Sequence, residues 1–445
     1  MKAFSNRIIG VLSLLAVAAV SHGDDQQRAH IEPGPADRII AGIPDADLRA
    51  LLLDVLDRNP EVAALTARIA AASQRTVSVR KLPDPQAEVT AFALPPETRV
   101  GPQRFAARLS QQLPGGGKRG IRETVAGFDR QELSAQLQAL RLALISEARR
   151  LMVEMGYLDE ARRVLSDDHA TLGNFEELAR SRYASGAGLQ MDAIRLQTEM
   201  TRLEARQAEL DERRAAIAAE LNRLRERPGA SIRCSPEPPI RSAELDWTRL
   251  RLSALASRPE LEADAARIQR SAGMTELATR DRSPDFSVGL TYAYVDKRTD
   301  VDVPGNGRDV LGISGGVTIP LWTTATNAKV EATTQLRLAD EASRRTTIAG
   351  IERELEALEG RIPEIERRLT LLEKVLPIQS EQALASAEAA YAAGRVDALA
   401  LLEAERVLLD VRLSAARGRA DLAVALIALE GAVGESIPSL HGGRS

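Results

Sequence analysis

The chain of 445 residues is 27% charged and 44% apolar, only 3% aromatic, and has a formal net charge of −4. This near-neutral balance excludes a basic nucleic-acid-binding surface, and the Ala-, Leu-, Arg- and Glu-rich composition points to long helices rather than a large β-core. The one cysteine, Cys234, excludes an intrachain disulfide framework and a Cys-based zinc site, and the four histidines (His22, His30, His169, His441) form no ligand-spaced pair.

Lys2 and Arg7 precede the apolar run Ile8 to Val20, and Ser21-His22-Gly23 follows with small residues. This is the layout of a secretory signal peptide, read as residues 1–23. The run of 13 residues is too short to span a bilayer comfortably. No cysteine stands directly after it, so an exported and unlipidated chain is expected. No later stretch has the length of a transmembrane helix, and a β-barrel is then the remaining way into a membrane.

Four landmarks recur in the same order. Asn59-Pro60-Glu61 returns as Arg258-Pro259-Glu260, Pro83-Asp84 as Pro284-Asp285, Leu113-Pro114 as Ile319-Pro320, and Arg182-Tyr183-Ala184-Ser185-Gly186 as Ala390-Tyr391-Ala392-Ala393-Gly394. One drifting offset of about 200 residues marks a duplication. The boundaries follow as a first repeat over 24–227, a Pro- and Ser-rich connector over 228–245, a second repeat over 246–435 and a tail over 436–445.

Each repeat begins with a helix, about 61–80 and 260–280, that Pro83 or Pro284 stops. In the second repeat Phe286, Val288, Leu290, Tyr292 and Tyr294 alternate with small or polar residues, and Leu311 to Ile319 alternate likewise. Period-two runs around a polar loop read as a β-hairpin over about 284–321. A weaker version lies over about 86–113. A very long helix, a turn and a return helix follow, over about 119–227 and 327–433. Ile351, Leu355, Leu358, Ile362, Ile365, Leu369, Leu372 and Leu376 form a coiled-coil seam that Pro363 and Pro377 are expected to bend without ending.

Gly115 to Gly120 contains G-x-G-x-x-G, but a helix of roughly 60 residues follows it with no parallel strand, so a dinucleotide site is not supported. The carboxylates sit at helical spacing opposite arginines, as on a solvated coiled-coil face. No catalytic arrangement has local support, so the chain is read as a non-enzyme with no cofactor and no metal site.

Four strands cannot close a membrane barrel, for which the smallest examples need about eight. A shared barrel then needs several copies, with Phe286, Val288, Leu290, Tyr292 and Tyr294 towards lipid. Arg258-Pro259-Glu260-Leu261, Pro284-Asp285-Phe286, Ile319-Pro320-Leu321 and the two Tyr-x-x-Gly tips, in this order, resemble the TolC-like outer-membrane efflux family over about residues 45–435. Leu82-Pro83-Asp84-Pro85, Leu109-Ser110-Gln111 and Gly117-Lys118-Arg119 resemble its heavy-metal efflux branch.

The resemblance implies a fold that is mainly α with a β-barrel portion, built as a homotrimeric α-barrel/β-barrel duct in outer-membrane lipid. It also implies two protein partners, a periplasmic adaptor and an inner-membrane pump of the resistance-nodulation-division type. In the family an Asp six residues past the first tip glycine and a Tyr three before the second help to close the entrance. Asp192 and Tyr391 match those positions. The entrance carboxylates six and nine past the second glycine correspond to Ala400 and Glu403, so one ring is missing. Val396 replaces the gate arginine, with Arg395 beside it as the substitute. Gly186, Gly188, Leu189 and Gly394 are the implied adaptor-contacting tips. The alternatives are a periplasmic coiled-coil adaptor and a structural protein of the cell envelope.

Overall fold

The computed structural model describes residues 34–233, 245–301 and 303–437. The expected signal peptide, most of the connector and most of the tail lie outside the described residues.

The first helices are α1 (Pro35–Gly42), α2 (Ala46–Arg58) and α3 (Pro60–Arg80). Strand β1 (Gln86–Ala91), the short β2 (Glu97–Thr98) and β3 (Gly101–Leu113) lead into α4 (Lys118–Ala184) and its return α5 (Gln190–Leu224). The second half runs through α6 (Trp247–Ser257), α7 (Pro259–Arg280), β4 (Asp285–Val295), β5 (Val310–Thr318), α8 (Thr323–Lys374), α9 (Leu376–Ala392) and α10 (Ala398–Val433). The same order therefore occurs twice. Helices α1, α2 and α6 were not anticipated: they are short, and only the packing of their apolar faces marks them. Ile39, Leu48 and Leu52 are buried against Ile145, Met152 and Leu221.

The residue before each helix-opening proline ties the two ends of its repeat together. Asn59 caps α3 by accepting from Glu61 N–H (2.9 Å), and its amide donates to the Leu224 carbonyl at the end of α5 (3.1 Å). Arg258, at the matching position, donates to the Gly431 carbonyl near the end of α10 (2.9 Å). Proline suits the first turn of a helix because its missing N–H has no intrahelical partner there.

The strands form one antiparallel sheet in the order β1-β3-β4-β5, with β2 pairing β3 at its end. The two hairpins meet through β3 and β4, where Leu109 faces Leu290 and Leu113 faces Phe286. Strands β1 and β5 leave the two edges of this path open. At the foot of the sheet Lys118 is buried, and its ammonium bonds Asp285 (2.9 Å) and the Ser283 carbonyl (3.0 Å). Gly115 N–H donates to the same Asp285 carboxylate (2.8 Å). The glycine-rich stretch is thus the joint from strand to helix.

The first long helix, α4, is continuous for 67 residues. Its counterpart is not: α8 ends at Lys374, and the chain restarts at Leu376 after Val375 at φ −111°, ψ −59°. Pro363 sits inside α8 without breaking it, whereas Pro377 opens α9. The seam is buried from Ile351 to Ile365, but Leu376 is exposed. The expectation of an uninterrupted seam fails here, because a break before Pro377 resets the helical phase.

Candidate tip and barrel-wall sites

The far ends of the two hairpins are built alike. Gly186 takes φ +76° and Gly394 φ +71°, left-handed conformations that a β-carbon disfavours. Each closes its helix in a Schellman turn, in which Ala187 N–H reaches the Arg182 carbonyl (2.9 Å) and Arg395 N–H reaches the Ala390 carbonyl (2.9 Å). These turns reverse the chain, and so place Asp192 in the first turn of α5 and Tyr391 in the last turn of α9.

Asp192 and Tyr391 are both buried and belong to neighbouring hairpins. Burial first, and then the nearby Asp192 carboxylate, pushes the Tyr391 phenol above its ordinary pKa, while Arg182 works against them. The Arg182 guanidinium lies 4.7 Å from the centre of the Tyr391 ring, a cation–π contact between the hairpins. Its Nη2 donates to the Ala187 carbonyl (3.1 Å). Three buried polar atoms in this cluster, Asp192 Oδ1, Tyr391 Oη and Arg182 Nη1, have no hydrogen-bond partner in the described chain. Buried atoms of this kind are uncommon in folded proteins.

The remaining predicted tip residues are placed differently. Arg395 and Glu403 are exposed. The guanidinium against Tyr391 is therefore that of Arg182, not Arg395. Sequence reading passed over Arg182 because the other repeat has Ala390 at the matching place. It also passed over Asp397, which caps α10 through Ala400 N–H (3.2 Å) and lies 3.5 Å from Arg195 of the first hairpin. Leu189 is exposed, as are Met191 and Ile194 just after it and Leu399 at the start of α10, while Gly188 packs against Arg182.

Behind the tip, Asp168 is buried, and its carboxyl is pushed up to about 7. Loss of solvent is the main cause; Glu199 adds to it, and Arg412 and His169 oppose it. Glu199 itself is held low by hydrogen bonds from Arg406 and Arg202.

On the sheet Phe286, Val288 and Leu290 are exposed, and the register puts Tyr292 and Tyr294 on the same face. Phe105 of β3 stacks on Tyr294 (5.5 Å between centroids, 18° between planes) and is tilted against Tyr292 (6.1 Å). Tyr292 Oη also donates to Asp309 (2.5 Å). This face is apolar at one end and aromatic at the other.

Among the described residues no cluster of His, Cys, Asp and Glu has the make-up to hold a metal ion. No described helix is long and apolar enough to cross a membrane.

Residues 250–435 match the model of the outer membrane efflux protein family. No curated protein matches the chain by sequence. Among solved structures, the outer-membrane channel OprN is similar with a TM-score of 0.76 at 18% identity, over 94% of this chain and 98% of that one. The outer membrane protein VceC from Vibrio cholerae gives 0.74 at 19% identity, over 91% and 99% of the two chains. CusC, whose structures concern transmembrane channel formation, gives 0.74 at 14% identity, over 94% and 100%.

Proposed function

We infer that this chain is a TolC-like outer-membrane efflux protein, the channel component of a tripartite efflux system. The observation that carries the reading is a sheet of four main strands, with the short β2 paired at one end, that has one apolar exposed face and two open edges and is set on long antiparallel helical hairpins. A sheet of this kind has too few strands to close alone. Copies of the chain side by side close it, and three copies give twelve strands continuing into a helical tunnel. The family match over residues 250–435 and the likeness to channel folds over 91–94% of the chain support this reading. A periplasmic adaptor has no use for such a sheet. The family is one of channels rather than enzymes.

The duct is passive: solutes enter at the helical tips from an inner-membrane pump and leave through the barrel. A periplasmic adaptor contacts the tips at Gly186, Gly188, Leu189 and Gly394, where exposed apolar side chains cluster. Asp192, Tyr391 and Arg182 form the closing contact between hairpins. The buried Asp192 carboxylate near the Tyr391 phenol and the Arg182 guanidinium stacked on its ring support this role. Metal cations as cargo rest on the resemblance of Leu82-Pro83-Asp84-Pro85, Leu109-Ser110-Gln111 and Gly117-Lys118-Arg119. The likeness to CusC is of the same order as that to VceC, so it selects no cargo.

The test is fractionation of the expressed protein followed by sizing of the purified, detergent-solubilised species. A trimer in the outer membrane that conducts ions in planar bilayers is the expected result. A soluble periplasmic monomer overturns the reading.

A further inference from the structure

The second face of the sheet carries small and polar side chains, and the register aligns Glu88, Arg108, Thr291 and Gly312 on one level of it. Strands β1, β3, β4 and β5 hold only four charged residues. Asp285 is bonded by Lys118 (2.9 Å), and Arg104 is paired with Asp296 (3.4 Å). Glu88 and Arg108 are exposed and make no ion pair or hydrogen bond among the described residues. Opposite charges facing each other across an antiparallel pair ordinarily attract and bond. Here they stay apart.

The reason is on the neighbouring strand. A β-carbon at Gly289 would stand 2.6 Å from Ser314 Oγ and 3.8 Å from Arg108 Nε. The bare backbone at Gly289 leaves room for Arg108 to lean over β4, away from Glu88 on β1, and a side chain there would have to turn Ser314 aside. Gly312 leaves the next position on the level open, with nothing near where its side chain would be. The wall is thin around one long cationic side chain, with a separate anionic one on the edge strand.

We propose that Arg108 and Glu88 form a charged station on the lumenal wall of the barrel, which draws anionic groups of a passing solute along β3 and β4 and cationic groups along β1. The proposal rests on the duct reading, in which this polar face is the lumen. It concerns the barrel, not the tips, and identifies residues that set which charged solutes pass. Rings of fixed charge act on permeating ions in this way in other pores, and three copies repeat the station at one level.

The experiment uses the full chain with Cys234→Ser, so that an introduced thiol is the only one. Thr291→Cys places that thiol beside Arg108. In outer-membrane vesicles its reaction rates with an anionic and a cationic methanethiosulfonate of similar size are compared at low salt. The anionic reagent is expected to react faster. Adding Arg108→Gln is expected to slow it and speed the cationic one by about threefold each, the effect of one unit charge several ångströms away in water. Glu88→Gln shifts the ratio the other way, and Arg108→Lys preserves it. A ratio blind to Arg108→Gln overturns the charged station alone. A Thr291→Cys thiol that reacts with neither reagent shows that this face meets no water-filled lumen, and the duct reading falls with it.

Discussion

Arg149 and Glu430 form an ion pair of 2.5 Å with both side chains about 1% exposed, although 281 residues separate them. The pair fastens the middle of α4 to the end of α10, and so the first repeat to the last helix of the second. Glu430 also accepts Ile437 N–H (3.1 Å), which turns the chain back after the helix. Burying both charges offsets most of their attraction, but removing one partner strands the other in a site without water.

Arg149→Ala is therefore expected to destabilise the helical body by about 3–5 kcal/mol. The double change Arg149→Met with Glu430→Leu should recover most of that loss. Thermal melts followed by circular dichroism at the helix band check this; equal loss in the single and double variants would contradict it.

At the tips, Asp192→Ala combined with Tyr391→Phe is expected to raise single-channel conductance in planar bilayers, with the strands intact. Arg182→Ala should act in the same direction, because it removes the guanidinium that joins the hairpins. A cation–π contact contributes about 0.5–2 kcal/mol, and a threefold axis repeats it. Unchanged conductance in both variants would mean that these residues pack the tips without holding the entrance closed.

On the barrel wall, Leu290→Arg is expected to impair membrane assembly, as is Tyr292→Asp, while Thr291→Ser is tolerated. An Arg or Lys on a lipid-facing strand costs roughly 2–4 kcal/mol at the bilayer midplane, and an Asp less. Tyr292→Asp also removes the hydroxyl that bonds Asp309. The yield of heat-modifiable trimer in outer membranes is the measurement, and equal yields for all three variants would place the strand outside lipid.

Asp168 sets a pH dependence whose sign follows from its raised pKa of about 7. Between about pH 4 and pH 7 the unfolded chain has lost this proton while the folded chain keeps it. Stability is thus lost as pH rises through that window and is level above it. Asp168→Asn should leave the melting temperature unchanged at pH 4 and raise it at pH 8, by up to roughly 4 kcal/mol of stability. Parallel pH profiles for the two proteins would show that the carboxyl is already ionised at pH 5.

The alternation of Phe286 to Tyr294, the prolines opening α3 and α7, and the tip glycines were open to reading because each is a local demand. A strand with one apolar face needs period two, a first helical turn accepts proline, and a left-handed turn needs glycine. The recurrence of these signals at one offset made the repeated order visible as well, and the resemblance to the efflux family then singled out Asp192 and Tyr391 beside the tip glycines. What only the tertiary structure decided are relationships between distant residues with no shared period. The joining of the two hairpins through β3 and β4, the guanidinium of Arg182 over Tyr391, and the Arg149–Glu430 pair all depend on which helix lies beside which. The break at Val375 belongs with them: Pro363 and Pro377 look equivalent in sequence, yet one is accommodated inside α8 while the other opens α9. Helix α8 holds through Pro363 because Ile362 and Ile365 on either side are buried in the core, whereas beside Pro377 Leu376 and Ile378 are exposed and no such packing offsets the lost hydrogen bond.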